Sequence, residues 1–291
     1  AQARFGEVYE AAFGPMIPQA TLQEGLQQIN SGPSLETMIA NNGGLNQQRV
    51  DGGMAALCEA LAADLGDVVR LGNAVTKITH DETAVVTLAL GETIEACIVV
   101  STLPPRLAVA LEYDPPLPQW RQDVAEKVTP GNVIKAYLVY ETPFWRERGL
   151  SGQSSSDEGA VRVTFDTTLA DSTRGLLMGF FEGNEADSLA RRPPEARKRA
   201  FVESAVRAFG AEAAEPVEYL ERDWSSEQYT RGCHGAHFAP GIWTSNGPVL
   251  AAPDGCLYWA GAEYSTKFNG YMEGAVRSGE EVAATIAVAL I

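Results

Sequence analysis

The stretch "LYWAGAEYSTKFNGYMEGA", residues 257–275, combines a short apolar strand with the start of a long helix. Gly261 follows the strand, Glu263 comes two residues later, and Gly270 precedes a segment with apolar residues at helical spacing. Backbone N–H groups at a helix N-terminus attract electronegative groups. Such a unit brings a carboxylate and free N–H groups near one ligand, as a dinucleotide or flavin site requires. Simple packing of a C-terminal helix is an equally open alternative.

The rest of the chain mixes strands and helices without regular alternation. Alternating or β-branched residues predict strands in "NVIKAYLVY" (132–140), "AVRVTFD" (160–166) and "GLLMGFFEG" (175–183), and "SSSDEG" (154–159) is predicted to be a loop. Helices are expected at about 194–209 and where Met54, Leu57, Cys58, Leu61 and Leu65 share a face, before Gly66. This mixture predicts an α+β fold: a substrate-binding layer with parts of a nucleotide-binding layer at its edges.

Composition narrows the class of partner. The 291 residues include 38 acidic and 22 basic ones, a formal net charge of -16, and such a surface repels nucleic acid. The sequence has no stretch long and apolar enough for a membrane span. Four cysteines without a disulfide-like spacing indicate free thiols and predict a cytoplasmic location.

The segment "DWSSEQYTRGCHGAHFAPG", residues 223–241, is rich in aromatic side chains, imidazoles and glycines, as suits a flat ligand approached closely by backbone. Three interpretations are open for Cys233. It could bind a metal with His234 and His237, although their spacing matches no standard zinc pattern. It could be a reactive thiol or the attachment point of a cofactor, or it could be an ordinary loop cysteine.

Lys135 lies in a predicted strand that is otherwise rich in apolar residues. A lysine in such a strand usually points to solvent. If its ammonium is instead enclosed, the cost of burial requires a bound cofactor, a water or a carboxylate beside it.

Five segments of the chain, taken in order, resemble the flavin-containing monoamine oxidase family. The chain looks like a bacterial-type member of that family. They are "GGLNQQRVDGGMAALCEALAADLGDVVRLGNAVTKI", "VVSTLPPRLAVALEYDPPLP", "GNVIKAYLVYETPFW", "DWSSEQYTRGCHGAHFAPG" and "LYWAGAEYSTKFNGYMEGAVRSGEEVA". The resemblance covers about residues 36–288. It implies that the nucleotide-binding layer is the C-terminal part of an FAD-binding fold and that the cofactor is FAD.

The resemblance also implies roles for individual residues. Lys135 matches the lysine that holds a water against flavin N5, and Trp224 matches a tryptophan that lines the flavin. Residues matching FAD contacts are Val75, whose backbone would hold the adenine, and Gly261, Glu263 and Met272. The helix end in "GYMEGA" would then face the pyrimidine end of the flavin.

Three further residues carry predictions from the same resemblance. Cys233 stands where some members attach FAD through a cysteinyl thioether, so covalent FAD is expected as one possibility. Tyr271 matches one wall of an aromatic cage in front of the flavin, and His234 takes the place of the second wall. Imidazole is smaller and more polar than the usual aromatic residue and titrates near neutral pH.

The resemblance divides the chain into four predicted segments. Residues 1–42 are a helical segment of the substrate domain, 43–110 an FAD-domain segment, 111–222 the substrate-binding domain and 223–291 the C-terminal segment that contacts FAD. The sequence has no Gly-x-Gly turn, and the family uses such a turn to hold the ADP half of FAD. Two explanations are open: a second polypeptide supplies the dinucleotide-binding half, which we favour, or the chain is a truncated product.

The implied activity is oxidation of a primary or secondary amine to an imine, and on hydrolysis to an aldehyde, with O2 reduced to H2O2. Lys135, Tyr271, His234 and Trp224 are the predicted catalytic residues. An L-amino-acid oxidase or monooxygenase is the alternative, and it would need an arginine for the substrate carboxylate, for which Arg49, Arg162 and Arg231 are candidates. A third possibility is a non-catalytic partner subunit with a flavin-binding fold.

Overall fold

The computed structural model describes residues 30–34, 36–37, 48–233, 236–238, 242 and 249–290. The described residues form two compact units. One comprises Thr129–His237, and the other comprises the described parts of Gln23–Val128 and Phe238–Ile291. The predicted division at residues 42, 110 and 222 describes functional segments and stays a prediction.

The regular elements within the described ranges are seven α-helices and thirteen strands. The helices are α1 Ala55–Leu65, α2 Pro105–Ala108, α3 Gln119–Glu126, α4 Phe144–Glu147, α5 Gly183–Ala190, α6 Pro194–Phe209 and α7 Met272–Ala289. The strands are β1 Val75–His80, β2 Ala84–Leu88, β3 Thr93–Ala96, β4 Val99–Ser101, β5 Glu112–Asp114, β6 Val128–Pro130, β7 Val133–Tyr140, β8 Ser154–Ser155, β9 Val163–Asp166, β10 Gly175–Glu182, β11 Glu218–Asp223, β12 Ala236–Phe238 and β13 Leu257–Trp259.

The first unit is built on a five-stranded antiparallel sheet in the order β11-β7-β10-β9-β8. The longest pairing, between β7 and β10, runs from Tyr140 opposite Gly175 to Val133 opposite Glu182. Because strand side chains alternate, this register fixes which residues share a face. Ile134, Ala136 and Leu138 fall on the face that packs into the hydrophobic core.

Helix α6 covers that face of the sheet. Phe201, Ala205 and Phe209 of α6 are buried in the same cluster as the inward residues of β7 and β10. A side chain at Gly179 would meet Val161 at 2.5 Å and the Phe201 ring at 2.7 Å, so glycine permits the close approach of helix and strand. The opposite face of the sheet takes no part in this core.

The second unit contains a four-stranded sheet in the order β3-β2-β1-β5 and a parallel pair formed by β4 and β13. Beside that pair, the guanidinium of Arg121 lies between the rings of Trp120, at 4.6 Å, and Trp259, at 4.2 Å. It also donates to the carbonyl oxygens of Leu250, at 2.8 Å, and Ala252, at 2.7 Å. These contacts connect α3 to the segment that leads into β13.

The structure confirms the predicted α+β class, with mixed sheets and packed helices. The helix predicted before Gly66 is present as α1, and Gly66 adopts the positive φ of 63° that ends it. Its predicted apolar face is exposed within the described residues: Met54, Leu57, Leu61 and Leu65 are between 45% and 61% exposed. No described helix has both the length and the apolar character needed to cross a membrane.

Candidate active site

Lys135 lies on the sheet face that points away from the core of the first unit. It alternates with Ile134 and Ala136, which are completely buried, and it pairs across the strands with Phe180. Its Nζ lies 5.6 Å from the ring centroid of Tyr137 and 5.9 Å from that of Phe180. Lys135 is partly buried, and its ammonium is held near aromatic rings, which attract a cation.

This sheet face carries further aromatic side chains. Phe165 of β9 and Phe180 of β10 meet edge to face, with ring centroids 6.4 Å apart. We call Tyr137, Phe165 and Phe180 the aromatic face. All three are partly accessible rather than buried in the core, so they form an apolar surface that a ligand can contact.

Trp224 is positioned by the strand that precedes it. Its backbone N–H donates to the carbonyl oxygen of Val133 at 3.2 Å, which continues the pairing of β11 with β7 by one residue. By strand alternation Trp224 falls on the same face as Lys135. The Thr230 hydroxyl donates to the Trp224 carbonyl oxygen at 3.3 Å and holds the following turn.

Cys233 is fixed to the residues that precede β7. Its backbone N–H donates to the carbonyl oxygen of Gly131 at 2.9 Å, and its side chain is half-buried and in no disulfide. A side chain at Gly232 would meet Pro130 Cβ at 2.5 Å and the Gly131 oxygen at 3.1 Å. The close approach therefore requires glycine beside the cysteine.

In the second unit, Gly261 and Glu263 follow β13, as the sequence predicted. Gly261 has a φ of 139°, and its backbone N–H and oxygen both bond the Ser278 hydroxyl of α7, at 2.8 and 3.0 Å. Burial raises the pKa of the Glu263 carboxyl. The buried side-chain amide of Asn269 donates to the backbone carbonyl oxygens of Glu263, at 3.2 Å, and Ser265, at 2.9 Å. These bonds hold the loop together.

Tyr271 and Met272 stand at the start of α7. Tyr271 has an extended backbone, with φ -105° and ψ 158°, and no side chain caps the helix. Burial raises the pKa of the Tyr271 phenol, whereas Met272 is 48% exposed. The backbone N–H groups of the first turn are thus available to an electronegative ligand.

Val75 begins β1, where a register shift separates it from Lys77. It pairs with Leu88 on one side, whereas the pairing with β5 starts only at Lys77. His234 lies outside the described residues, so the predicted cage of His234 and Tyr271 and the metal alternative remain undecided. Among the described residues, no group of three or more His, Cys, Asp or Glu side chains is placed to hold a metal ion.

Residues 7–287 match the family described as flavin containing amine oxidoreductase. The chain belongs to this family. It is 39% identical over 263 residues to the protein AofH of Mycobacterium tuberculosis, named as a flavin-containing monoamine oxidase, covering 90% of this chain and 57% of that protein. It is 36% identical over 253 residues to amine oxidase B of Canis lupus familiaris, covering 86% of this chain and 49% of that protein.

Solved structures of amine oxidases have the same fold as this family member. Wild-type putrescine oxidase bound to putrescine superposes with a TM-score of 0.92 at 32% identity, covering 98% of this chain and 64% of that one. Cyclohexylamine oxidase from Brevibacterium oxydans gives 0.87 at 28% identity, covering 97% and 63%. The predicted family and fold class are therefore confirmed, and the chain spans about half the length of the curated relatives it matches.

The three arginines considered for carboxylate binding differ in their surroundings. Arg49 and Arg231 are exposed. Arg162 precedes β9, and its Nε is buried without a hydrogen-bond partner among the described residues. Of the three, only Arg162 directly adjoins a strand of the described five-stranded sheet.

Glu182 is a polar residue of this sheet that the sequence analysis missed. It pairs with Val133 on β7, and it alternates with the buried Phe181, so it shares the face of Lys135. Burial raises the pKa of its carboxyl to about 7, and the Arg162 guanidinium opposes this rise. The alternation in "GLLMGFFEG" was a usable signal, because it puts Phe180 and Glu182 on one face.

Proposed function

We propose that the protein to which this chain belongs oxidises a primary or secondary amine with FAD and passes the electrons to O2, giving H2O2. The imine product would be hydrolysed to an aldehyde and ammonia or a smaller amine. The observation that carries this proposal is the placement of Lys135 and Trp224 on one sheet face, with the Cys233 backbone bonded just before the same strand.

The described residues fit a flavin. The uncapped start of α7 offers backbone N–H groups that suit the electron-rich carbonyl oxygens of an isoalloxazine. FAD, when bound, supplies the acceptor of the two electrons removed from the amine. Val75, Gly261, Glu263 and Met272 are the proposed contacts to FAD, and Cys233 is its proposed covalent anchor.

The protein side of the reaction is mainly positioning. The proposed part of Lys135 is to hold a water beside the flavin, and its ammonium disfavours a positive charge on the reacting nitrogen next to it. An amine close to it would therefore react in its neutral form. Tyr271 and His234 are proposed to orient this neutral amine, while the aromatic face excludes water from an apolar substituent.

An L-amino-acid oxidase is the second candidate, and Arg162 supports it. The buried, unpartnered Nε of this arginine is a donor suited to a carboxylate. Glu182 weighs against this use, because its carboxyl already lies close enough to the guanidinium to feel its charge. A substrate carboxylate would have to compete with it.

A second polypeptide that carries the dinucleotide-binding half is part of the proposal. The exposed apolar side chains of α1 support it, since a contiguous apolar helix face is normally covered by another part of a protein. A cytoplasmic location remains a proposal, since Cys58, Cys97, Cys233 and Cys256 are in no disulfide.

Amine-dependent H2O2 production by the FAD-loaded protein tests the activity. Primary amines, secondary amines and the L-amino acids with matching side chains should be compared at equal concentration. We expect turnover with amines and none with the amino acids. Turnover of the amino acids without turnover of the amines would contradict the amine oxidase function and favour an L-amino-acid oxidase.

A further inference from the structure

Glu182 is the last residue of β10. It lies on the same side of the sheet as the aromatic face and is two residues beyond Phe180. Phe180, two residues earlier, pairs with Lys135, and Glu182 itself pairs with Val133. The Glu182 and Lys135 side chains are therefore diagonal neighbours on adjacent antiparallel strands, separated by roughly 7–8 Å between Cα atoms. Trp224 lies across Val133 in the same row.

The carboxyl of Glu182 is incompletely compensated. Within the described part of the chain it makes no hydrogen bond, and the charge that acts on it is that of Arg162. This charge does not overcome the effect of burial, so the carboxyl retains a raised pKa of about 7. Another cation placed beside it would complete its neutralisation.

The only other carboxyl on this face in the described sheet is Glu218 of β11. It pairs with Val139, at the far end of the face, and is exposed to solvent. Exposed carboxylates gain little from pairing with a cation, whereas a half-buried one gains more. Glu182 is thus the carboxyl of this face that is suited to bind a positively charged ligand group.

We propose that Glu182 binds a second ammonium group of the substrate, so that the enzyme prefers a linear diamine to a monoamine of the same length. This proposal rests on the proposed amine oxidase function. One amino group reacts as the neutral amine on the Lys135 side, and the distal ammonium pairs with Glu182 next to the Phe180 ring. The aromatic face contacts the methylene chain between the two.

The preference should also depend on pH, with a defined sign. Glu182 attracts a cation only when ionised, so the diamine preference is lost below its pKa and is present above it. The charged groups around it are Arg162 before β9, whose charge acts on it, Lys135 on the adjacent β7, and Arg222 on β11, which is already paired with Glu227. Asp187 of α5 is another nearby carboxylate, and it accepts a hydrogen bond from the Asn132 side-chain amide.

The test compares kcat/KM for a diamine and for its monoamine analogue in the FAD-loaded wild-type protein and in Glu182→Gln. We expect the ratio to fall by about 10- to 100-fold in Glu182→Gln, the range for loss of a hydrogen bond to a charged group. The kcat/KM for the monoamine, measured alongside, separates loss of the diamine preference from a general loss of activity. Glu218→Gln is the matched control, because it makes the same change on the same face, and its ratio should equal that of the wild type.

A second measurement follows the same ratio as a function of pH. In the wild-type protein the ratio should rise as the pH passes about 7, from the pKa of Glu182, and Glu182→Gln should abolish the rise. An equal ratio in Glu182→Gln and wild type, or a ratio independent of pH, overturns the diamine site while monoamine oxidation stands. Absence of oxidation of any amine overturns the proposed function instead.

Discussion

The backbone N–H of Cys233 donates to the carbonyl oxygen of Gly131 at 2.9 Å, four residues before Lys135. The residues from Gly131 to Val133 also accept bonds from Trp224 and from Gly183 at the start of α5. One short backbone segment thus sets the positions of three segments around the strand of Lys135. The relative geometry of the lysine, the tryptophan and the thiol is consequently a property of the backbone in this segment.

Cys233→Ser should remove any FAD that is covalently attached to the chain. The hydroxyl cannot form the thioether, whereas the backbone contact to Gly131 is retained, so the fold and non-covalent FAD binding should persist. Intact-mass spectrometry of the denatured protein checks this. Cys97→Ser is the matched control, because Cys97 is exposed and lies outside the proposed site. An FAD mass increment that survives in Cys233→Ser would place the attachment elsewhere.

Gly232→Ala should disturb the position of Cys233. The added methyl would meet Pro130 Cβ at 2.5 Å, so the loop must move. We expect slower covalent incorporation of FAD, followed as the mass increment over time.

Gly279→Ala in α7 provides the contrast, since nothing lies within 4 Å of the added methyl there. It should stabilise the protein by about 0.5–1 kcal/mol, because alanine is the better helix former. Equal incorporation rates for Gly232→Ala and wild type would show that the approach of Pro130 does not fix the thiol.

Lys135→Met should lower amine turnover by roughly 10²-fold, the usual effect of removing a placed electrostatic donor. Methionine has a similar length and keeps the contacts with Tyr137 and Phe180, so the melting temperature should change little. Steady-state kinetics and thermal melting together separate the two effects. Lys127→Met is the control, because Lys127 is exposed at the end of α3. Wild-type turnover in Lys135→Met would remove this lysine from the site.

Glu221 should contribute stability that depends on pH. Burial by itself would raise the pKa of its carboxyl, but hydrogen bonds from Arg197 and Tyr219 lower the pKa below its usual value. A carboxyl with a lowered pKa stabilises the fold above its unfolded pKa and loses this contribution as the pH falls through its folded pKa.

Chemical denaturation between about pH 5 and pH 2 measures this contribution. Wild-type protein should lose stability over this interval more steeply than Glu221→Gln, which should be less stable at neutral pH and flatter. Parallel curves for the two proteins would contradict the role of the Arg197 and Tyr219 contacts.

The sequence predicted the elements with strong local patterns. The strand over 132–140 is β7, the strand over 175–183 is β10, and the helix over 194–209 is α6. The prediction of a loop at 154–159 was wrong at its start, because Ser154–Ser155 pairs with β9. Two polar residues carry no apolar alternation, so only the pairing partner supplied by the fold defines this strand.

The assignment of the site residues stays a prediction. Lys135 and Trp224 were found by resemblance, and the sheet puts them on one face. Glu182 was missed because a single acidic residue at a strand end is usually solvated, and its neighbours are decided by strand order. Its proximity to Arg162 depends on long-range pairing that a sequence pattern does not contain.

The most direct test of the central claim is anaerobic addition of a primary amine to the purified, FAD-loaded protein, followed by visible absorbance. The account predicts a flavin spectrum that is bleached by the amine and restored by O2, with aldehyde and H2O2 formed in equal amounts. A flavin spectrum that amines leave unchanged, or a protein that binds no flavin when its dinucleotide-binding half is supplied, would contradict it.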